Sequence, residues 1–135
     1  MGYFFEFDPA NKILRCSRRG RVTDALIFEV YSEAQRLLES RAPCRGIDDL
    51  SAVTEFAVST DTIKKLADKS AFSVLEVLVI VAPQAHLYGL SRMYSILTEA
   101  TRRVQVVRTM EEAYSLLGVS SPSFTRISES AASGQ

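Results

Sequence analysis

The side chains with the most evident chemistry lie between residues 48 and 62. Two adjacent carboxylates, Asp48 and Asp49, are followed by hydroxyls at Ser51, Thr54, Ser59, Thr60 and Thr62. A carboxylate pair could bind a cation or act as acid and base, but neighbours on a strand point to opposite faces and do not easily share a ligand. We therefore expect Asp49 to bind nearby backbone groups as an Asx-type turn.

Ser59 and Thr60 stand where a helix is predicted to begin. The free amides and the dipole of a helix N-terminus favour an anion, so a phosphoryl group on either hydroxyl would be well placed. The simpler interpretation is an N-cap, the commonest use of serine at this position, and we prefer it.

His86, Tyr88 and Arg92 form a second candidate group. His86 is the only histidine, with no metal-ligand partner at usable spacing and no serine or cysteine nucleophile nearby in sequence, so we expect no catalytic or metal site. Tyr88 and Arg92 are four residues apart on a predicted helix and could present an aromatic ring and a planar donor to an anionic ligand or partner. A solvated helix face is the equally weighted alternative.

The composition excludes several classes of protein. Lysine plus arginine and aspartate plus glutamate are balanced at 16 each, which gives no basic field to collect nucleic acid. The longest apolar run, residues 77–83, is too short to span a bilayer. The N-terminus lacks the pattern of a signal peptide, so we expect a cytoplasmic protein. We also expect no cofactor, because the sequence has neither a glycine-rich loop in the crevice nor a metal-ligand partner for His86. Its cysteines, Cys16 and Cys44, are expected to be buried and reduced.

The hydrophobic periodicity predicts the element order ββαβαβαβα in one α/β domain, residues 1–119. Strands are predicted at residues 3–7, 12–18, 45–50, 77–81 and 104–107, and helices at 23–40, 59–69, 87–101 and 109–117. Gly20 is expected to break the second strand. Residues 120–135, rich in Ser, Ala, Gly and Pro, are predicted to be a flexible C-terminal tail.

These elements predict a mixed five-stranded sheet, with the first strand antiparallel, the rest parallel and the helices mainly on one face. Candidate binding residues would then gather in the crevice at the carboxyl ends of the strands. They are Asp49, Ser51, Thr54, Glu55, Ser59, Thr60, His86, Tyr88 and Arg92. A partly uncovered second face would expose Tyr3, Phe5 and Phe7, or Phe4, and support a homodimer.

Several short motifs resemble one known family. Asp49 to Thr54 followed by Ser59-Thr60 resembles the strand-loop-helix of the STAS domain, the fold of bacterial anti-sigma-factor antagonists. Gly20 to Thr23, Val79 to Pro83 and Gly89 to Met93 resemble an uncharacterised STAS-like family that has been compared with CRAL-TRIO lipid-binding domains. The resemblance implies a STAS-like fold and a regulatory serine at Ser59 or Thr60, although this chain lacks the glycine of the antagonist turn.

Two functional hypotheses remain open. The first is a non-enzymatic regulatory module that binds a protein partner in a bacterial signalling context. The alternative is a carrier of a small molecule or lipid, apolar or anionic, in an apolar cleft between helix 87–101 and the sheet. An enzyme ranks third, because no constellation supplies both a nucleophile and a base.

Overall fold

The computed structural model of the protein describes residues 2–68, 75–98 and 103–130. Its elements follow the order β1 Gly2–Asp8, β2 Ile13–Thr23, α1 Asp24–Leu38, β3 Cys44–Ala57, α2 Thr60–Asp68, β4 Leu75–Val81, α3 Ala85–Thr98, β5 Val104–Val107, α4 Met110–Leu117 and β6 Thr125–Glu129. The predicted ends of two helices, at residues 69 and 101, and residues 131–135 of the predicted tail lie outside the described residues.

The strands form one mixed six-stranded sheet in the order β5-β4-β3-β2-β1-β6. β2, β3, β4 and β5 are parallel neighbours, and β1 runs antiparallel to β2, so the predicted fold class is confirmed. The sixth strand was not predicted. β6 pairs antiparallel with β1, so the prediction of a flexible tail is wrong for residues 125–129.

The C-terminal segment is attached to the β1–β2 hairpin by specific hydrogen bonds. The buried carboxylate of Asp8 accepts hydrogen bonds from the backbone amides of Asn11 and Ser123. At the other end of β1, Tyr3 and Ser130 exchange hydrogen bonds through their backbones and the Ser130 hydroxyl. These partners are distant in sequence, which is why composition alone suggested a tail.

β2 and β3 are both longer than predicted. Gly20 has a positive φ of 72°, yet it stays within β2 opposite Val53 and does not end the strand. β3 continues past the end of β4 and pairs with β2 as far as Ala57, so the predicted loop after Leu50 is a strand. The register between the two strands shifts twice, after Ser17 and after Gly20.

The helices cover the sheet unequally. α1, α2 and α3 pack on one face and build the larger core, whereas α4 packs on the other face in a cluster with Ile47 of β3 and alternate residues of β4. The caps follow the sequence signals. The Thr23 hydroxyl accepts from Leu26 N, Thr109 and Glu112 form a capping box, and Gly118 ends α4 in the left-handed conformation.

The aromatic residues of β1 are less exposed than the sequence suggested. Tyr3 and Phe5 are only 4% and 1% exposed, because they belong to the core beneath the helices. Phe4 and Phe7 are half-buried, and the Arg126 guanidinium lies 3.9 Å from the Phe4 ring centroid. The predicted exposed aromatic surface is therefore wrong for Tyr3 and Phe5.

Candidate functional site

An ion pair between neighbouring strands lies at the centre of the helix-covered face. Arg18 of β2 donates from Nη2 to Oδ2 of Asp48 on β3 at 3.0 Å. Arg18 is only 4% exposed, and the side chain of Asp48 is 15% exposed. The first register shift of the β2–β3 ladder brackets Arg18, between Ser17 and Arg19. Such irregularities change the direction of a side chain and are frequent beside functional sites.

The Arg18–Asp48 pair is only partly satisfied. Nε of Arg18 and Oδ1 of Asp48 are both buried without a hydrogen-bond partner in the described structure. A buried polar atom left without a partner costs about 1–3 kcal/mol. Native proteins contain few such atoms, so a pair of them at one ion pair needs a physical explanation.

Burial and charge act on the ionisable groups of the pair in opposite directions. Burial raises the pKa of Asp48, against the lowering effect of Arg18, and Asp49 adds to the rise. Burial lowers the pKa of Arg18, but Asp48 and Cys16 outweigh it, so the net pKa is raised and the guanidinium stays charged. Burial also raises the pKa of the neighbouring Cys16 thiol to about 12, which leaves it protonated.

The Arg18–Asp48 pair lines a pocket between the sheet and three helices, here called the helix-side pocket. Its cavity volume is about 50 Å³, and the empty space including the part open to solvent is about 490 Å³. A cavity of about 50 Å³ has room for on the order of three to five water molecules. The remaining walls are mostly apolar and come from Ile27, Tyr31, Leu50, Phe56, Ile63, Leu66, Leu78, Ile80, Leu90, Ser91 and Tyr94.

Three hydroxyls line the helix-side pocket and differ in their partners. Tyr31 donates to the carbonyl of Leu66 at 3.0 Å, and its oxygen lies 3.1 Å from the hydroxyl of Tyr94. Ser91 on α3 is 6% exposed. No hydrogen bond joins its hydroxyl to another side chain or carbonyl within residues 2–68, 75–98 and 103–130. The pocket therefore offers a charged pair and one free hydroxyl within apolar walls.

The predicted crevice residues lie elsewhere. None of them lines the helix-side pocket. They are distributed over β3, the start of α2 and α3, and all are exposed except the half-buried Asp49 and Tyr88. The structure does join Asp49 with Ser51, whose backbone amide and hydroxyl both donate to Oδ1 of Asp49 at 3.0 and 2.6 Å. The Asx-type role predicted for Asp49 is confirmed, and Thr54 and Glu55 follow on the exposed extension of β3.

Ser59 caps α2, as the preferred interpretation of the sequence predicted. Its hydroxyl accepts from the backbone amide of Thr62 at 3.2 Å. Its own amide donates to Oδ1 of Asp24 at 3.1 Å, so a carboxylate already occupies this end of the helix. A phosphoryl group on Ser59 would be close to that negative charge, which opposes the anion-binding tendency of the helix N-terminus. Phosphorylation of Ser59 or the neighbouring Thr60 stays a prediction.

The candidates on α3 are separated from the pocket. His86 and Arg92 are exposed, and Tyr88 is half-buried. The ring of Tyr88 is covered by Arg108, whose guanidinium carbon lies 4.3 Å from the ring centroid. The aromatic ring that was predicted to act with Arg92 is thus in contact with a different cation.

Sequence reasoning considered Asp48 together with Asp49 but did not pair it with Arg18. A signal was present, because Arg18 has the same strand parity as Leu14 and Cys16, which face the core. A charge at a core-facing position requires a buried partner. The chain contained no local clue that Asp48 was that partner, since the two residues are separated by 30 positions.

Neither a metal cluster nor a membrane-spanning helix is present in the part of the chain that the structure describes. Within residues 2–68, 75–98 and 103–130, no group of three or more His, Cys, Asp or Glu side chains is placed to hold a metal ion. No helix of those same ranges has the length and apolar character that a membrane crossing requires.

The sheet order and the helix placement define an α/β protein with a STAS-like fold. Among solved structures, the chain is similar to an uncharacterised protein of the DUF3478 family from Shewanella loihica PV-4, which has a SpoIIAA-like fold. The two are 15% identical with a TM-score of 0.54, and the match covers 78% of this chain and 83% of that chain. No family model matches the chain, and no curated protein matches it. The expected resemblance is therefore confirmed at the level of the fold.

Proposed function

We propose that this chain is a non-enzymatic binding module that holds a small, mostly apolar molecule in the helix-side pocket. The observation that carries the proposal is the partly satisfied Arg18–Asp48 pair inside apolar walls. Ligand sites are concave and mostly apolar, with a few polar groups that orient the ligand. The pocket also lies between α3 and the sheet, where the sequence analysis placed the cleft of a carrier.

The pair is difficult to explain by stability alone. Replacing a buried ion pair by apolar side chains of similar volume is often neutral or stabilising, so a buried pair adds little to the free energy of unfolding. A pair with two unpartnered atoms adds still less. A ligand that contacts these atoms would explain why charged side chains stand at this position.

The same pocket gives little support to catalysis. The Cys16 thiol is protonated at neutral pH, because its pKa is raised to about 12. The Ser91 hydroxyl has no hydrogen-bonded base among the described residues, and His86 is exposed outside the pocket. A nucleophile without a base is a poor catalyst.

Native mass spectrometry of protein purified from its own host tests the proposal. We expect the wild-type chain to retain a small molecule and Ile80→Phe, which places a ring in the pocket, to lose it. Ile96→Phe is the matched control, because Ile96 is on α3 but 60% exposed, and this variant should retain the ligand. Equal retention by all three proteins would place the ligand elsewhere and contradict the proposal.

A protein partner is the second candidate function, supported by exposed apolar surface. Ile96 and Leu97 of α3 are 60% and 46% exposed. Large apolar side chains that adjoin on a surface are typical of interaction sites. If the partner is a second copy of the chain, sedimentation under reducing conditions should show a dimer that Ile96→Ser with Leu97→Ser dissociates. A wild-type monomer at micromolar concentration would contradict the homodimer.

A further inference from the structure

The polar groups of the helix-side pocket differ in whether they have hydrogen-bonding atoms without a partner in the protein. Arg18 has an unused donor at Nε, and Asp48 has an unused acceptor at Oδ1, and because both atoms are buried, a ligand reaches them only when the two side chains turn towards the cavity. The Tyr31 hydroxyl is already bonded to the carbonyl of Leu66 and adjoins the Tyr94 hydroxyl. A ligand head group that uses the unpaired atoms must therefore accept one hydrogen bond and donate another.

The charge of the pocket restricts the head group further. Arg18 and Asp48 neutralise each other, and burial raises the pKa of the adjoining Cys16 thiol to about 12, so that it carries no charge at neutral pH. The next carboxylate, Asp49, follows Asp48 on the strand, points to the opposite face and is bonded to Ser51. A cationic or anionic head group would add a third, uncompensated charge among apolar walls, which is strongly unfavourable. An uncharged head group leaves the pair balanced.

We propose that the helix-side pocket selects a small apolar molecule whose head group is an uncharged carboxamide or protonated carboxyl. In either group, a carbonyl oxygen accepts from Arg18 while the adjacent N–H or O–H donates to Asp48. The small cavity volume of about 50 Å³ admits the head group and requires the apolar body to lie towards the open side. This inference rests on the proposed binding function and adds the chemistry of the ligand.

A series of ligands with similar shape and different head groups tests the inference. The probes are hexanamide, 2-heptanone, hexylamine and hexanoic acid, with dissociation constants measured by NMR titration. At pH 7 we expect hexanamide to bind at least about tenfold more tightly than the other three, because it alone satisfies both atoms without adding charge. Hexanoic acid should approach the affinity of hexanamide only when the pH is lowered towards its own pKa.

Asp48→Asn should change the order of the series. Without the carboxylate, the Arg18 guanidinium is a buried, unpaired cation, so hexanoate should replace hexanamide as the tightest ligand at pH 7. Asp49→Asn is the matched control, because Asp49 is adjacent in sequence and binds Ser51 instead. That variant should keep the order of the wild-type protein. The wild-type series decides the question on its own if Asp48→Asn does not fold.

The possible results separate the inference from the function on which it rests. If all four probes bind with equal affinity, or if hexylamine or hexanoate binds most tightly at pH 7, the head-group inference is wrong and the pocket remains a binding site. If no probe binds at any accessible concentration, both the inference and the proposed function are contradicted.

Discussion

Arg15 and Arg18 belong to the same strand but lie on opposite faces of the sheet, in very different surroundings. On the α4 face, Nε and Nη2 of Arg15 both donate to Oε1 of Glu6, at 3.1 and 2.7 Å. Its Nη1 donates to the hydroxyl of Tyr114 at 2.6 Å, and the guanidinium carbon lies 3.8 Å from the ring centroid of Phe124. Every nitrogen of this guanidinium has a partner, although the side chain is 18% exposed.

Arg18 is more deeply buried and yet has fewer partners. It makes one hydrogen bond to a carboxylate oxygen, its only other polar side-chain partner among the described residues is the Cys16 thiol, and its Nε is unpaired. Burial strengthens the need for partners, since a buried donor has no water to bond. The two arginines therefore have different roles. Arg15 uses all its nitrogens to connect β2 to neighbouring elements, whereas Arg18 has a donor without a partner beside a pocket.

The largest expected effect follows from removing one charge of the buried pair. Arg18→Met leaves the Asp48 carboxylate buried without a counter-charge, which should lower the free energy of unfolding by about 3–5 kcal/mol. Urea denaturation at neutral pH measures the loss. A loss below about 1 kcal/mol lies in the range of exposed ion pairs. It would show that Asp48 is solvated and that the Arg18 pair is no more buried in solution than the Arg15 pair.

Removing both charges should reverse the loss of stability and abolish the preference for hexanamide. Arg18→Met combined with Asp48→Leu replaces the pair by apolar groups, so its free energy of unfolding should equal that of the wild type or exceed it by about 1–4 kcal/mol. The same protein should no longer prefer hexanamide over 2-heptanone. A double variant that is as unstable as the single one would mean that the pair has a structural role after all.

A smaller effect is expected at Arg15. Arg15→Met removes a mostly buried ion pair with Glu6 and a contact with the Phe124 ring, which should lower the free energy of unfolding by about 1–2 kcal/mol. No group of the helix-side pocket changes, so hexanamide should bind as in the wild type. Weakened binding in this variant would show that the two faces of the sheet are coupled.

The sequence predicted the features that depend on local signals. Thr23, Thr109 and Gly118 end or begin helices through contacts within a few residues, and each was identified from residue type and position. The continuous apolar run of β4 likewise predicted a central strand, because a strand covered on both faces cannot alternate in polarity.

The features that the sequence did not reveal depend on distant partners. β6 forms only because β1 offers it an edge more than a hundred residues earlier in the chain. The register shift beside Arg18 arises from the way β2 pairs with β3, so the sequence of either strand alone does not predict it. The helix-side pocket was not predicted for the same reason, because local polarity pointed to exposed hydroxyls whereas Arg18 and Asp48 are buried by tertiary packing.

The smallest effects should come from deleting one hydroxyl on each face. Tyr114→Phe removes the acceptor of Arg15 Nη1, so it should lower the free energy of unfolding by about 0.5–1.5 kcal/mol and leave hexanamide binding unchanged.

Ser91→Ala removes a hydroxyl that has no described partner from a helix that favours alanine, so stability should stay within about 0.5 kcal/mol of the wild type. Binding of hexanamide by Ser91→Ala should weaken by about two- to tenfold if this hydroxyl contacts the ligand, as one lost hydrogen bond requires. Thermal unfolding measures the stability of Tyr114→Phe and Ser91→Ala, and NMR titration measures the affinity of each variant for hexanamide. A loss of stability at Ser91 equal to that at Tyr114 would mean that the Ser91 hydroxyl is satisfied within the protein, which would remove it from the set of groups available to a ligand.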